Sequence, residues 1–386
     1  MNKIYRPLIL IAVVSLLAGS ANLHAGNRDR SGQAGAQHLL IDPWARSNGW
    51  GNAGVADTRG LESVYANVAG IAFMNRTEFG FSRTQYLAGS GAGIGINSFG
   101  IVQSLARRDK ETGVKIRDFG VLGISVFTMG FGDIPMTTVT QPEGIGTFSP
   151  SLMYIGIHYA KSFNNFIHGG VTGKIITESI SDMSATGFAL DAGVQYVSGP
   201  FENFRIGVTL KNIGLPMRYS GDGLSLRGVV STTDHELTLE PRSAEAEMPA
   251  LLTIGVSYDF LMWGRKYQSM SREERVDEGL TRNEADHRIT LAASFTANSY
   301  SRDNFVLGIE YGFMQYFMVR AGYTIEGGMW KESTRTTWYT GPSAGVSIGI
   351  PLVKKERGNQ KILLDYAYRF TNRWKGNHSI GIKLAL

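Results

Sequence analysis

"NFRIGVTLKNIG", residues Asn203 to Gly214, sets Phe204, Ile206, Val208 and Leu210 on one face of an extended chain. Arg205, Gly207, Thr209 and Lys211 fall on the other, because side chains alternate along a strand. A soluble sandwich would turn the apolar row into its core. A transmembrane barrel would turn the same row to lipid and keep the small and charged residues for its lumen.

The alternation recurs along most of the chain. Phe188, Leu190, Ala192, Val194 and Tyr196 oppose Asp191 and Gln195, and Leu252, Ile254, Val256, Tyr258 and Phe260 repeat the row. Phe305, Leu307, Ile309 and Tyr311 oppose Gly308 and Glu310, and Phe317, Val319, Ala321 and Tyr323 oppose Arg320 and Gly322. Ala344, Val346, Ile348 and Ile350 alternate with serine and glycine. Ile362, Leu364, Tyr366, Tyr368 and Phe370 oppose Asp365 and Arg369, and Ile380, Ile382, Leu384 and Leu386 oppose Lys383. Aromatic residues gather at the ends of the rows, as interfacial girdles require, and the polar rows mix glycine with both signs of charge, which suits a crowded lumen. These rows predict an all-β fold, a transmembrane antiparallel β-barrel of about fourteen strands over residues 76–386, since bacterial barrels of one chain hold even numbers.

The composition fits this prediction. The 386 residues include 48 glycines, with Trp 6, Tyr 16 and Phe 19. No cysteine is present, which excludes a disulfide scaffold, a lipoprotein anchor, thiol catalysis and cysteine-based zinc sites. The formal net charge is +5, with Lys3 and Arg6 contributing two of those charges, and so small an excess argues against a nucleic-acid partner. Lys3 and Arg6 precede "PLILIAVVSLLAG" and then "SANLHA", the pattern of a signal peptide over residues 1–25 cleaved after Ala25. Its apolar run is shorter than the ~20 residues a spanning helix needs.

Four connections between strands are long: 131–149, 212–251, 261–286 and 326–339. With a periplasmic N-terminus, the first, second and fourth fall outside and the third in the periplasm. The third, "LMWGRKYQSMSREERVDEGLTRNEAD", carries the charges and helix formers of a short solvated helix, whether as an inert extension or a docking surface. Met136, Ile145 and Phe148 in the first loop, and Leu215, Met217, Tyr219 and Leu224 in the second, are apolar residues in segments expected to face water. Such clusters mark partner-binding surfaces; the alternative is a lid of loops packed on one another.

Chemical motifs point away from catalysis. "GPSAG", Gly341 to Gly345, matches the serine-hydrolase nucleophile pattern, but that motif requires a strand-turn-helix elbow and here it runs straight into a strand. Ser343 is therefore expected in the lumen wall. His158 and His168 are expected on polar faces of neighbouring strands, and no histidine pair has the i, i+4 spacing of a helical metal site. Asp191, Glu310 and Asp365 are expected to pair with Arg205, Arg320, Arg369 and Lys383. No catalytic constellation, cofactor motif or metal-ligand pattern emerges.

Residues 26–75 form a separate unit. "IDPWARSNGWGNAGVADTRGLESVYANVAGIAFMN", residues 41–75, is rich in glycine and alanine yet carries two tryptophans. With Leu39, Leu40, Ile41, Trp44, Val64, Tyr65, Ile71 and Phe73, it is too apolar for a disordered periplasmic tail, and a plug in the barrel mouth is expected.

At this segment the chain resembles a known family. "GWGNAGVAD" and "ESVYANVAGIA", with "GFALDAGVQY", "NFRIGVTLKNIGLPMRYSGDG" and "MPALLTIGVSYDF" further on, are similar to the PorV/PorQ proteins of the type IX secretion system, relatives of the FadL fatty-acid transporters. The similarity covers most of residues 40–260, and chain length and the 212–251 loop lie nearer the PorV type than the shorter PorQ type. Val68 stands where the family carries proline, which loosens the turn, and Leu386 stands where barrels often carry an aromatic.

The resemblance implies a non-enzymatic shuttle in the outer membrane of a Gram-negative, Bacteroidetes-like cell. Its partners would be the C-terminal domains of type IX cargo, a large SprA/Sov-like translocon, the sortase PorU, the attachment-complex proteins PorQ and PorZ, and outer-membrane lipid. The FadL side of the resemblance implies the alternative of a transporter for hydrophobic small molecules. A lipid-modifying deacylase is a third possibility, one that would need the catalytic group the sequence lacks.

Overall fold

The structure is a computed structural model that describes residues 28–386 apart from 75, 92, 109–114, 231–234, 336 and 353–359. The expected signal segment 1–25 lies outside the described residues. Fourteen long strands form one sheet: β1 (Thr77–Gln85), β2 (Gly95–Ser104), β3 (Val121–Gly130), β4 (Ser151–Ser162), β5 (Ile167–Ile180), β6 (Met183–Ser198) and β7 (Phe204–Gly214). The second half holds β8 (Leu251–Met262), β9 (His287–Asn298), β10 (Asn304–Phe313), β11 (Phe317–Glu326), β12 (Gly341–Pro351), β13 (Lys361–Arg369) and β14 (Asn377–Ala385). Each strand pairs antiparallel with the next. β14 returns to β1, with Lys383 opposite Gly80 and Ile382 opposite Phe81. The ring of fourteen strands closes on itself, so none of these strands among the described residues is left at an edge. This is the all-β, fourteen-stranded transmembrane barrel that the alternation predicts.

The side chains are arranged inside out relative to a soluble protein. In β7, Val208 and Leu210 face outward while Arg205, Thr209 and Lys211 are buried inside. Outward exposure is similar for Ile157, Phe188, Leu190, Val194, Ile309, Leu364 and Ile382. An apolar belt of this kind is stable only against hydrocarbon, and a closed ring is the way a sheet satisfies every backbone group there. The long connections 131–150, 215–250 and 327–340 leave one end, the outer one by this architecture, where two of them carry small hairpins, Ile134–Thr138 with Gln141–Phe148 and Leu226–Val230 with His235–Leu239. The other, periplasmic end holds the segment 263–286. It is helical at Arg265–Gln268 and Arg272–Asp277, and Ser271 and Glu274 cap the second helix reciprocally, an arrangement that satisfies two otherwise orphaned backbone donors.

Residues 28–74 run down the inside of this ring. Near the outer end Gly35 N donates to the Glu247 carbonyl at 2.9 Å, and Arg30 pairs with Glu247 at 3.0 Å. At the periplasmic end Arg59 pairs with Glu202 at 2.6 Å, and Leu61 N donates to Glu78 Oε2 at 2.8 Å. Short helical turns, Ala45–Asn48, Ala53–Ala56, Ser63–Ala66 and Val68–Phe73, fill the width between.

Glycines on the wall make this possible. Gly308 and Gly322 are paired across β10 and β11 and lie against Trp50 and Ala53. Gly207 and Gly255, paired across β7 and β8, face Val55 and Ala56 in the same way. Gly170 and Gly193 take Asn67 and Val68, Gly80 and Gly100 take Leu61 and Trp44, and Gly345 meets Gly49. A β-carbon on Gly322 would fall 2.3 Å from the Trp50 carbonyl, and one on Gly207 would fall 2.4 Å from that of Val55. The contacts run backbone to backbone, which leaves no room for a side chain.

The packing yields a prediction. Gly322→Leu or Gly207→Leu leaves the strand ladder intact but overpacks the contact, at a cost of about 1–3 kcal/mol. Both variants are expected to assemble as heat-modifiable barrels whose single-channel conductance in planar bilayers exceeds that of the native protein. Native conductance in both would contradict the packing described.

Candidate functional site

The inner segment packs across the lumen at mid-height and closes it between two cavities that share no lining residue. Below the closure, charged side chains of the inner segment and the wall interlock. Arg205 reaches Asp259 through two nitrogens, at 2.8 and 2.7 Å, and Asp57 at 2.7 Å. Arg282, sent in from the periplasmic segment 263–286, meets Asp57 at 2.8 Å and Asp259 at 2.9 Å. Thr290 donates to Asp259 at 2.7 Å. A second knot joins Arg46 to Glu310 at 3.3 Å and to Glu62 at 3.7 Å. Arg320 binds Glu310 at 2.6 Å, Arg288 binds it as well, and Lys383 binds Glu62 at 3.1 Å.

Burial alone would raise the Asp57 carboxyl, but the charges of Arg205, Arg282 and Arg288 overcome it and hold the group well below the usual carboxylate range. Burial also opposes ionisation of Glu62, and Lys383, Arg46 and Arg320 outweigh it, lowering that group too. Buried charges persist only when paired in this way.

Polar side chains of the inner segment and of the wall also bind each other's backbone. Asn67 Nδ2 donates to the carbonyls of Val55 at 3.1 Å, Val194 at 3.1 Å and Val208 at 3.4 Å. Gln195 Nε2 donates to Val55 and Thr58 carbonyls at 3.2 and 3.3 Å. Ser82 Oγ accepts from Ala45 N at 3.2 Å, and Lys211 Nζ donates to the Tyr65 carbonyl at 3.2 Å. An irregular segment inside an apolar shell needs such partners for its backbone groups.

Above the closure lies a cavity of about 500 Å³ with an apolar wall from Leu40, Ile41, Val55, Tyr86, Met129, Phe131, Leu152, Val306 and Tyr339. Asp42, Lys211 and Arg369 add charge to its lining. Asp42 is 2% exposed and accepts from Trp44 N at 2.9 Å. Burial pushes its carboxyl up to about 7, against the lowering effects of that hydrogen bond, Lys211 and Arg369. The cavity below the closure, about 620 Å³, shares no lining residue with the upper one.

The structure separates the partner-surface residues expected from sequence. Ile145 and Leu215 are exposed, Leu215 to 73%. Met136, Phe148, Tyr219 and Leu224 are half-buried within their loops. The exposure expected of Met217 is corrected. It is 1% exposed, packed among Met129, Ala185, Ala189 and Met248, because its backbone pairs with Ala246 and turns the side chain inward. Exposed Val139, Leu226, Leu237 and Leu239 extend the apolar character of the two hairpins instead.

Ser343 is buried in the wall, and its Oγ makes no hydrogen bond among the described residues. A nucleophile needs a base within reach. His158 and His168 lie inside neighbouring strands as expected: His158 touches Ser125 at 2.8 Å and Thr172 at 2.9 Å, and His168 touches Ser162 at 2.8 Å. Glu310 pairs with Arg320 as expected, but the other pairings differ: Arg205 takes Asp57 and Asp259, and Lys383 takes Glu62. Asp191 takes Lys174 at 2.6 Å, Asp365 takes the Ser347 hydroxyl, and Arg369 stacks over Tyr339 at 4.4 Å. Arg46, Asp57, Asn67 and Arg282 escaped notice in the sequence, since their partners lie tens to hundreds of residues away. The one available signal was five charges, Asp42, Arg46, Asp57, Arg59 and Glu62, in the otherwise apolar and small stretch 41–75.

No protein-family model matches the chain, and no curated protein does. Among solved structures the chain is similar to the toluene transporter TbuX of Ralstonia pickettii, at 12% identity and a TM-score of 0.52, over 90% of this chain and 99% of that one. It is also similar to the Pseudomonas putida toluene transporter TodX, at 11% identity and a TM-score of 0.49, over 89% and 97%. A Pseudomonas aeruginosa FadL homologue gives 12% identity and a TM-score of 0.44, over 88% and 96%. The likeness to TbuX is one of barrel fold and extends over nearly the whole of both chains.

Removing Asp57 tests the ionic closure. Asp57→Asn leaves Arg205 and Arg282 to share Asp259, and breaking one side of a buried pair costs about 3–5 kcal/mol; the heat-modification midpoint is expected to fall clearly, whereas Ser343→Ala leaves it in place. The pH dependence has two opposite signs. Asp57, depressed in the fold, contributes stability above about pH 4 that is lost as pH falls through its lowered value. Asp42, raised to about 7, penalises folding increasingly between about pH 4 and 7. Asp42→Asn is therefore expected to gain stability over the native protein across that interval, and a gain confined to lower pH would contradict its burial.

Proposed function

We propose that the chain is an outer-membrane transport barrel of the PorV type, which holds secreted cargo at its outward face and hands it on within the type IX secretion system. The observation that carries this is the pairing of a shut lumen with an apolar outer surface. Backbone contacts and buried ion pairs block the bore, so the protein does not serve as an open channel for its cargo. Val139, Ile145, Leu226, Leu237 and Leu239 meanwhile stand exposed on the two loop hairpins, and Leu215 stands exposed just past the end of β7. Exposed apolar clusters of this kind mark contact sites for a protein partner, and hairpin edges can add a strand to an incoming β-domain. The sequence similarity to PorV/PorQ proteins names the cargo domain, the large translocon and the PorU, PorQ and PorZ attachment machinery as partners. Export by the N-terminal signal belongs to the same proposal.

A second reading has its own support. The TbuX-like fold and the apolar cavity of about 500 Å³ suit uptake of a small hydrophobic molecule, which would rest in that cavity until the inner segment shifts. The fold likeness favours this reading over the first.

The two are told apart by one pair of variants. Val139→Ser with Ile145→Ser and Leu215→Ser strips the outer surface and leaves the cavity lining untouched. Truncating anchor residues costs about 2 kcal/mol each, so affinity capture of the tagged barrel from its own outer membrane is expected to lose cargo bearing shared C-terminal domains by at least about tenfold. Val306→Trp, which fills the cavity, is expected to leave cargo capture unchanged. Normal cargo capture by the loop variant, with loss of toluene uptake in Val306→Trp, would establish the transporter instead.

A further inference from the structure

The cavity below the closure has a chemical bias that transport at the outer face does not use. Seven Lys and Arg side chains line it against three Asp and Glu. Most of the cations are tied into the ion-pair knots, but not all. Lys361 has no carboxylate within ion-pair distance among the described residues and binds only Gln315 Oε1, at 3.1 Å. Arg76 is exposed at the cavity mouth. Arg59 Nε and Arg288 Nε are buried donors with no hydrogen-bond partner among the described residues, a costly state for an N–H group in a dry interior. Burial, then the neighbouring Arg282 charge, push Arg59 down to about 10 although Glu202 is paired to it at 2.6 Å.

We propose that this periplasmic cavity binds a phosphate-bearing anion through Lys361, Arg76, Arg59 and Arg288. The donors come from four separate places: the inner segment, its junction with β1, β9 and β13. Donors approaching from several directions fit the tetrahedral set of phosphate oxygens, whereas a single carboxylate is saturated by one guanidinium fork. Met74, Met314, Met318 and Leu363 on the same lining would accept an apolar tail, so the phosphate can be free or part of a lipid headgroup. The proposal is independent of which cargo the outer face takes.

The test uses the purified full-length barrel in detergent, titrated calorimetrically with inorganic pyrophosphate, and a parallel arm in which it is floated with vesicles of phosphatidylglycerol or of phosphatidylcholine. Binding is expected to weaken about tenfold or more in Lys361→Gln, the scale of one hydrogen bond to a charged group, to recover in Lys361→Arg, and to stay native in Arg373→Gln at the opposite end. Should Lys361→Gln fail to give a heat-modifiable barrel, Arg76→Gln carries the comparison, since Arg76 lies outside the ion-pair knots. Pyrophosphate binding that depends on Lys361 or Arg76 identifies free phosphate as a source. Phosphatidylglycerol retention that depends on them, without pyrophosphate binding, identifies a headgroup. Equal affinity in all variants, or no binding in either arm, would overturn the proposal.

Discussion

The contact of backbone against backbone around the lumen governs the rest of this structure. Fourteen strands enclose a bore too wide for their own side chains to fill, and an open bore would leave a water column across the membrane. The chain fills it with its own N-terminal segment. That segment is irregular, so its peptide groups need partners, and it can lie close only where the wall has no side chains. Gly207 with Gly255 and Gly308 with Gly322 supply such places in register across neighbouring strands, and wall side chains such as Gln195 and Ser82 supply hydrogen bonds beside them.

The charges follow from the same geometry. With the outer surface given to lipid, polar residues of each strand must point inward, where little water remains. Arg205 and Glu310 are fully buried and are tolerable because opposite charges reach them from β8, β9, β11 and the inner segment, while Arg282 of the periplasmic connection shares the carboxylates of Asp57 and Asp259. Breaking such a knot exposes an unpaired charge to a dry interior, so the segment is held by specificity of pairing as much as by area buried. Segment 263–286 thereby has a structural role in the closure that its solvated composition hides.

The wall was legible in the sequence and the lumen much less so. A period of two repeated over many strands fixes which face of β7 or β10 meets lipid, because slipping by one residue would put Arg205 or Glu310 into hydrocarbon. The same period places His158 and His168 inside. It cannot say which charge meets which, since partners such as Arg46 and Glu310 are brought together only by the path of the inner segment. Glycine content pointed to a barrel, while the use of those glycines as seats for Trp50 and Val55 required coordinates. Met217 shows the opposite failure: a loop position expected in water is turned into the core by one short backbone pairing with Ala246.

The seating of the inner segment can be measured directly because the chain has no cysteine of its own. A β-carbon on Gly381 would lie 3.3 Å from that of Ala45, close to the separation a disulfide bridges. Ala45→Cys combined with Gly381→Cys, oxidised in intact outer membranes, is expected to cross-link nearly completely and to trap a barrel of native heat-modifiability. A pair that stays reduced under the same oxidation, in a barrel that is otherwise assembled, would show that the segment does not occupy the lumen as described.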